Sequence, residues 1–352
     1  MMLNPKAWGG GIRGIVIMKI RLGHKFEDLV GMLNLLLAWE DFIRGKRSKK
    51  DVQEFYMHLM DNILSLHDDL LNNTYKHGGY EEFYISDPKP RVINKASVRD
   101  RLLHHAVYRI LYPFFDEKFT SDSFSCRDEK GTHKAIKRLN AFYGQVSRNK
   151  TRTCWILKCD IKKFFHSINQ QILLNILREH IPDQDIINLL REIIISFHHK
   201  KEGLGLPLGN LTSQLFANVY MNEFDQFIKH KLKIKYYIRY ADDFVILSED
   251  KNYLKKIIPT ITDFLQNNLS LTLHPDKIYI KTIYSGVDFL GWVNFPHHRT
   301  IRNKTKNRML ARIKGNKNSK TLSSYIGLLK HGNTQKVKDK VLKLYVSGNW
   351  EP

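Results

Sequence analysis

Apolar residues recur at spacings of three and four across residues 25–74. Leu33, Leu36 and Leu37 precede Trp39 and Phe42, and Val52, Phe55, Leu59, Ile63, Leu66 and Leu70 follow. That period predicts helices, broken by the basic stretch 45–50 and ended by Gly78-Gly79. The pattern then shortens to two strands around a Pro-rich turn, Phe83 to Ile93, and lengthens again into a helix opened by Arg99-Asp100-Arg101 and stopped by Pro113. A polar loop holding Ser123–Arg127 and Lys130–His133 leads to a helix near Ala135–Phe142, and the basic run 145–153 leads to an apolar strand, Trp155 to Asp160. Two apolar-faced helices, Asn169–His180 and Asp185–Phe197, are separated by Pro182, and a third runs from Ser213 to Lys231. Two β-rich runs, Tyr236–Tyr240 and Phe244–Leu247, flank Ala241-Asp242-Asp243, which reads as a hairpin with acid at its tip. Tyr253–Leu265 predicts a helix kinked at Pro259. Leu271–Lys277 and Gly286–Val293 read as further strands or turns, and residues 297–352 as a small helical lobe.

Charge sharpens this outline. Lys plus Arg number 57 against 35 Asp plus Glu, a net +22, and hydrophobic residues make up 42% of the 352 positions. That surplus points to a polyanionic partner, nucleic acid before an acidic membrane. The terminal lobe alone carries 14 Lys or Arg against Asp339 and Glu351, so +12 of the total. Tracking a nucleic-acid backbone through phosphate contacts is its simplest use; solvation of a small lobe is the other reading. No apolar run reaches the roughly 18 residues of a spanning helix, so a soluble, membrane-free, cytoplasmic protein is expected. Cys126, Cys154 and Cys159 have no metal-ligand spacing and suit a reducing compartment. Gly9-Gly10-Gly11 suggests a disordered lead-in, with Met1, Met2 or Met18 as the start.

The acids carry the chemistry. Two adjacent carboxylates between apolar strands are costly unless a cation neutralises them. Asp160, at the end of another apolar strand, supplies a third. Carboxylates converging from separate strands to hold two ions about 4 Å apart are what two-metal phosphoryl transfer needs. A solvated Asp-Asp turn is the plainer reading of the hairpin taken alone. Lys89 and Arg91, spaced by prolines, suit a triphosphate, or form an ordinary basic turn. His198-His199-Lys200-Lys201 reads as a basic helix end rather than a metal site. Gly203 to Gln214 is a Gly-bearing loop opening a helix; it lets backbone approach a ligand, or is only a tight connection.

In this order the residues resemble a reverse transcriptase, from about Phe83 to the end. Asp160, the Gly209 loop, Tyr240-Ala241-Asp242-Asp243, Lys277 and Phe289-Leu290-Gly291-Trp292 match the family's ordered palm motifs, and Lys89-Pro90-Arg91 to Asp100-Arg101 its fingers motif. The resemblance implies an α+β, right-hand polymerase fold of fingers, palm and thumb, with an antiparallel palm sheet carrying the Asp residues and a helical thumb. The expected division is a mostly helical N-terminal extension over 1–74, fingers over 75–150, palm over 151–296 with finger helices within 169–200, and a basic thumb over 297–352.

By position it implies Asp160, Asp242 and Asp243, with the Ile161 carbonyl, as holders of two Mg²⁺ ions, Mn²⁺ being the alternative. Lys277 would protonate pyrophosphate. Lys89 and Arg91 would hold the triphosphate beside Ala241, Leu208, Gly209 and Gln214. Phe164 would be the gate against a ribose 2′-OH, which also disfavours an RNA-dependent RNA polymerase, and Phe165 is the alternative gate. Phe289–Trp292 would grip the primer end, with Arg302, Lys304, Lys306, Arg308 and Arg312 along primer and template. The implied partners are template RNA, primer, cDNA and dNTPs. Leu208 and Gln214 stand where intron-type and retron-type enzymes usually have Gln and Pro. In this, and in the Ser324–His331 thumb stretch, the chain is similar to the enzymes of diversity-generating retroelements, which copy a template-repeat RNA with errors at adenine and work with a small basic accessory protein oligomer. A phage-defence enzyme, a group II intron or retron-like enzyme, and an idle RNA-binding module that kept the fold are the alternatives. The chain's end soon after the thumb implies no RNase H or endonuclease domain.

Overall fold

A computed structural model describes residues 20–86, 90–315 and 318–347. The glycine-bearing lead-in, the candidate starts and Lys89 lie outside the described residues. The described chain opens with α1 (Phe26–Val30), α2 (Met32–Ile43), α3 (Lys50–Met57) and α4 (Leu59–Leu71), followed by the hairpin β1 (Tyr80–Ile85) and β2 (Arg91–Ala96). Then come α5 (Val98–Asp116), α6 (Thr132–Val146), β3 (Trp155–Asp160), α7 (Phe164–Ser167), α8 (Gln170–His180), α9 (Gln184–Ile195) and α10 (Leu211–Gln226), which ends in a π-turn, Phe227–Lys231. The remainder is β4 (Tyr237–Tyr240), β5 (Asp243–Ser248), α11 (Lys251–Leu269), β6 (Tyr279–Thr282), β7 (Val287–Phe289), β8 (Trp292–Asn294), β9 (Arg299–Ile301), α12 (Asn303–Gly315), α13 (Ser319–Leu329) and α14 (Gln335–Val346).

Short polar side chains start several helices. The Ser97 hydroxyl accepts from Asp100 N, Asn169 from Ile172 N, and Asp183 and Asp250 each from two amides of the following turn. Asp41, Asp51 and Asp69 of the N-terminal helices form ion pairs with Arg109, Arg101 and Arg99 of α5, fastening the extension to it.

The central sheet has strand order β4-β5-β3-β6, antiparallel throughout. Alternation sends Leu157, Cys159, Tyr237, Phe244 and Ile246 into the large core with α10 and α11. The opposite face sends Ile156, Ile238, Val245 and Leu247 beneath α6, against Leu139 and Phe142. Both faces are covered, which is why β3 and β5 read as near-continuous apolar runs. Toward the ends of β3 and β5 that face changes to Lys158, Asp160 and Asp243.

Arg239 and Asp225, both fully buried, lock this sheet to α10. Arg239 Nη2 donates to Asp225 Oδ2 at 2.6 Å and Nε to Oδ1 at 2.7 Å, and the Tyr237 hydroxyl reaches Oδ1 at 2.7 Å. The guanidinium also donates to Ser123 Oγ at 3.0 Å and to the Ala241 carbonyl at 3.1 Å.

Three local expectations change, and one strand of the central sheet is added. Pro113 does not stop α5, which continues to Asp116 because Phe115 extends the buried stripe of the helix. His198–Lys201 lies beyond the end of α9 as a turn, with Lys200 at φ +58, not as a helix end. The acids do not share the hairpin tip: Ala241 and Asp242 form the turn, while Asp243 is the first residue of β5. Strand β6 had no forecast, since Tyr279–Thr282 is short and only half-buried; its pairing with β3 makes it a strand.

Asp225→Asn leaves the Arg239 charge buried without its counter-ion and is expected to cost about 3–5 kcal/mol of stability. Denaturant unfolding measures this, and an unchanged midpoint would mean that the pair does not hold the sheet.

Candidate active site

Strand register assembles the acids. Asp160 ends β3 directly opposite Asp243 at the start of β5, so their side chains leave the same face. The turn between β4 and β5 places Ala241 at φ +56, and the Asp242 carbonyl accepts from Ile161 N at 3.2 Å, closing the hairpin onto the end of β3. Past that end, Ile161 bridges Leu273, His274 N donates to the Asp160 carbonyl at 2.8 Å, and Lys162 N to the Thr272 carbonyl at 2.9 Å. These bonds lay residues 272–277 along the acids. Lys277 Nζ thereby donates to Asp160 Oδ1 at 2.8 Å.

A second lysine does the same from within the sheet. Lys158, two residues before Asp160 and on its face, is only 6% exposed, and its Nζ lies 2.7 Å from Asp243 Oδ1. Burial pushes the Asp243 carboxyl up to about 6; the Lys158 ammonium opposes that rise, and the neighbouring Asp242 and Asp160 add to it. Three carboxylates at one corner are thus offset by two ammonium groups.

The donor set suits a hard divalent cation in kind and position: carboxylate oxygens on adjacent strands, already drawing cationic nitrogens to within 2.7 and 2.8 Å. Among the described residues no three His, Cys, Asp or Glu side chains are gathered into a cage. Each lysine holds one oxygen of its carboxylate, Lys277 the Oδ1 of Asp160 and Lys158 the Oδ1 of Asp243.

The Gly-bearing loop forms the neighbouring wall. Asn94 N donates to the Leu208 carbonyl, and Asn210 Nδ2 to the Asn94 carbonyl, both at 2.9 Å. Gly209 has φ +107, and an added Cβ would lie 2.6 Å from Ile93 Cγ2. Only glycine lets β2, which begins with the exposed Arg91, lie this close. Leu208, Gln214 and Ala241 are half-buried.

Two groups of residues are placed otherwise than the sequence suggests. Phe164 is 3% exposed and points into the main core, so it cannot face a nucleotide. Lys163, left-handed at φ +49, turns the chain so that Phe165 is the half-buried ring beside it, 5.4 Å away. Phe289 and Trp292 are likewise interior; the turn they anchor, Leu290-Gly291, has φ +54 and +87. At the turn it is Leu290 and Gly291 that are half-exposed, not the two aromatic rings. In the terminal lobe Arg302 is paired with Asp288 of β7, while Lys304 and Arg312 are exposed and Lys306 and Arg308 half-buried on α12. Gly332, before α14, rests against the Trp292 ring, where any side chain would collide.

Sequence reasoning missed Lys158 and the Arg239–Asp225 pair. A signal existed for each, since a lysine or arginine inside an apolar strand must find a buried counter-charge.

The profile described as "Reverse transcriptase (RNA-dependent DNA polymerase)" matches residues 76–293. Among curated proteins, "Protein YkfC" of Escherichia coli (strain K12) is 26% identical over 280 residues, 68% of this chain and 71% of its own length. "Group II intron-encoded protein LtrA" of Lactococcus lactis subsp. cremoris is 23% identical over 305 residues, 66% of this chain and 49% of LtrA. A Saccharomyces cerevisiae relative, "Putative COX1/OXI3 intron 2 protein", is 22% identical over 61% of this chain and only 30% of itself. The chain thus spans half or less of the length of the intron-encoded relatives. Among solved structures, apo telomerase from Candida tropicalis superposes with a TM-score of 0.51 at 13% identity, over 77% of this chain and 57% of that one. That likeness shows the fold: α+β, in the right-hand polymerase arrangement.

Lys158→Met removes the ammonium that opposes burial, and the Asp243 carboxyl should titrate above its present value of about 6. A raised carboxyl holds a proton in the folded state that the unfolded chain has released. Its contribution to stability is therefore full below the ordinary 3.8 and lost as pH rises through about 6. Carboxyl ¹³C NMR of the chelator-treated protein follows this; an unmoved titration would remove Lys158 as the counter-ion.

Proposed function

The chain belongs to the reverse transcriptase family, and from that premise we propose that it copies RNA into cDNA at the corner formed by Asp160, Asp242 and Asp243. The observation that supports this most is the register setting Asp160 opposite Asp243 beside the Asp242 turn. Residues 75–150 act as fingers, 151–296 as palm with finger helices within 169–200, and 297–352 as thumb, with 1–74 as a helical extension. Bound at the three carboxylates and the Ile161 carbonyl, two Mg²⁺ ions, or Mn²⁺, supply Lewis-acid stabilisation of the charge developing on the transferred phosphoryl group.

The chain's own groups do the rest. Arg91 and Lys89 hold triphosphate oxygens, Arg as a bidentate fork and Lys as a point charge. Phe165 stands as the gate against a 2′-OH, backed by the buried Phe164. Lys277, released from Asp160, gives its Nζ proton to the departing pyrophosphate. The Leu290-Gly291 turn presents backbone to the primer end, and Lys304, Lys306, Arg308 and Arg312 follow the duplex, Arg302 staying with Asp288.

Two loop residues bear on the template class. Leu208 and Gln214 favour the error-prone copying of a template-repeat RNA in a diversity-generating retroelement, with a small basic accessory protein as partner. The intron-encoded relatives favour a group II intron-like enzyme instead. A Gln at 208 would hydrogen-bond near the incoming sugar and lose that bond to a shifted mispair; leucine gives only non-directional contact.

Asp160→Ala, Asp242→Ala and Asp243→Ala should each abolish Mg²⁺-dependent cDNA synthesis while RNA binding stays near normal. Template-primed extension persisting in Asp242→Ala would sink the assignment.

Leu208→Gln should lower misincorporation opposite template adenine several-fold, on the order of 1 kcal/mol, and more than opposite other bases. Deep sequencing of cDNA made by both proteins on one template reads this. Unchanged adenine errors would leave the intron-like reading the stronger.

A further inference from the structure

At the opposite end of the central sheet from the acids, two contiguous cavities of about 480 and 320 Å³ share Gln145, Lys233, Ile234 and Lys235. Helix α6 lines them with Arg138, Phe142 and Gln145, spaced four and three apart on one helix face. The other wall is the chain between the π-turn and β4. Tyr236 immediately precedes β4, whose far end carries the Ala241-Asp242 turn, on the order of 20 Å along the strand. The cleft is therefore separate from the acid corner.

Its charges are unevenly engaged. Asp122 takes Arg138 Nε on Oδ1 and Lys229 Nζ on Oδ2, each at 2.7 Å, and Lys229 also donates to the Lys235 carbonyl at 2.8 Å. That bridge fixes the loop's path across α6. Among the described ion pairs, none gives Lys233 or Lys235 a carboxylate, and Lys233 is held at φ +54. The accessible ring here is half-buried Tyr236, with the Lys235 ammonium over it at 5.4 Å and Phe142, itself only 2% exposed, backing it edge-on at 5.3 Å. Tyr253 borders the second cavity and is 37% exposed.

We propose that this cleft is a second RNA-binding site, taking a single-stranded segment by its phosphates on Lys233 and Lys235 and by one base against Tyr236 or Tyr253. A nucleotide is the ligand that presents an anion and a flat apolar ring at adjacent positions. An acidic peptide supplies the charge without the ring, and inorganic polyphosphate the same. The choice of RNA among polyanions rests on the RNA-copying reading; the cleft itself does not. Held here, a template stays tethered at one end of the sheet while its copied region lies at the other, which raises its effective concentration there.

The test is fluorescence anisotropy with a labelled 12-nucleotide oligouridylate, the acid corner being filled by saturating unlabelled primer–template duplex. Lys233→Gln with Lys235→Gln should weaken oligonucleotide binding about tenfold and lower the slope of log affinity against log salt by roughly 1.4. Gln145→Glu, which adds one repelling charge without touching the lysines, should weaken it in the same direction. Thermal melting and extension of a short annealed primer should stay unchanged in all variants. Unaltered affinity in both variants would overturn the proposal, as would tripolyphosphate or a poly-glutamate peptide displacing the oligonucleotide at equal charge concentration. If primer extension is absent from the parent protein but the variants still lose the oligonucleotide, the cleft stands and the copying reading falls.

Discussion

The buried Arg239–Asp225 pair is the constraint on which the rest of the geometry depends. A charge pair with no solvent access tolerates one arrangement, because every donor left over would be unpaired in a low-dielectric interior. Here the guanidinium spends its donors on Asp225, Asn218, Ser123 and the Ala241 carbonyl. Four separate segments therefore share one position: α10, the 122–125 loop, β4 and the hairpin turn. Because Arg239 points to the core face, alternation obliges Tyr240 and Asp243, across from it, to the other. The orientation of the acids is thus set from behind. Helix α10 carries Asp225 near its C-terminal end and follows directly on the Gly209 loop, so one helix positions both walls of the candidate site.

The elements on which the site stands were legible in the sequence. The apolar strand ending in Asp160, the Ala241-Asp242-Asp243 hairpin and the helix after the glycine loop all follow from local period and turn chemistry, and the structure has them at those residues. What the sequence did not contain was the sense in which neighbours point. Phe164 and Phe165 are identical by composition; a left-handed Lys163 decides which of them enters the core. Asp242 and Asp243 are likewise equivalent as letters, yet one makes a turn and the other a strand pair with Asp160. Register and backbone handedness are properties of the assembled chain, and Lys158 acquires its partner only through them.

The net charge of +22 is distributed by the same logic. Residues 51–71 contain five acids and no Lys or Arg, and Asp51 and Asp69 serve as partners to arginines of α5. Acids already engaged by arginines of α5, or buried as Asp225 and Asp122 are, leave fewer free carboxylates on the exterior than composition alone conveys. Long-range attraction of a polyanion then needs no special element, since it comes from the residue of charges left unpaired on the surface.

The seat of Gly332 against Trp292 has a mechanical meaning. Trp292 belongs to β8, and its ring lies under the turn between α13 and α14; Arg302, at the head of α12, is tied to Asp288 of β7 in the same small sheet. The helical lobe is thus bolted at two points to the hairpin that bears Leu290-Gly291. The lobe's core also takes in helix α6: Ile136 shares one buried cluster with Trp292, Ile301, Met309 and Ile313, and the His133 and His331 rings lie 4.1 Å apart. Lobe, small sheet and α6 are therefore packed as one body, and α6 in turn rests through Leu139 and Phe142 on the central sheet, so a strain applied to the basic helices reaches the strands that carry the acids.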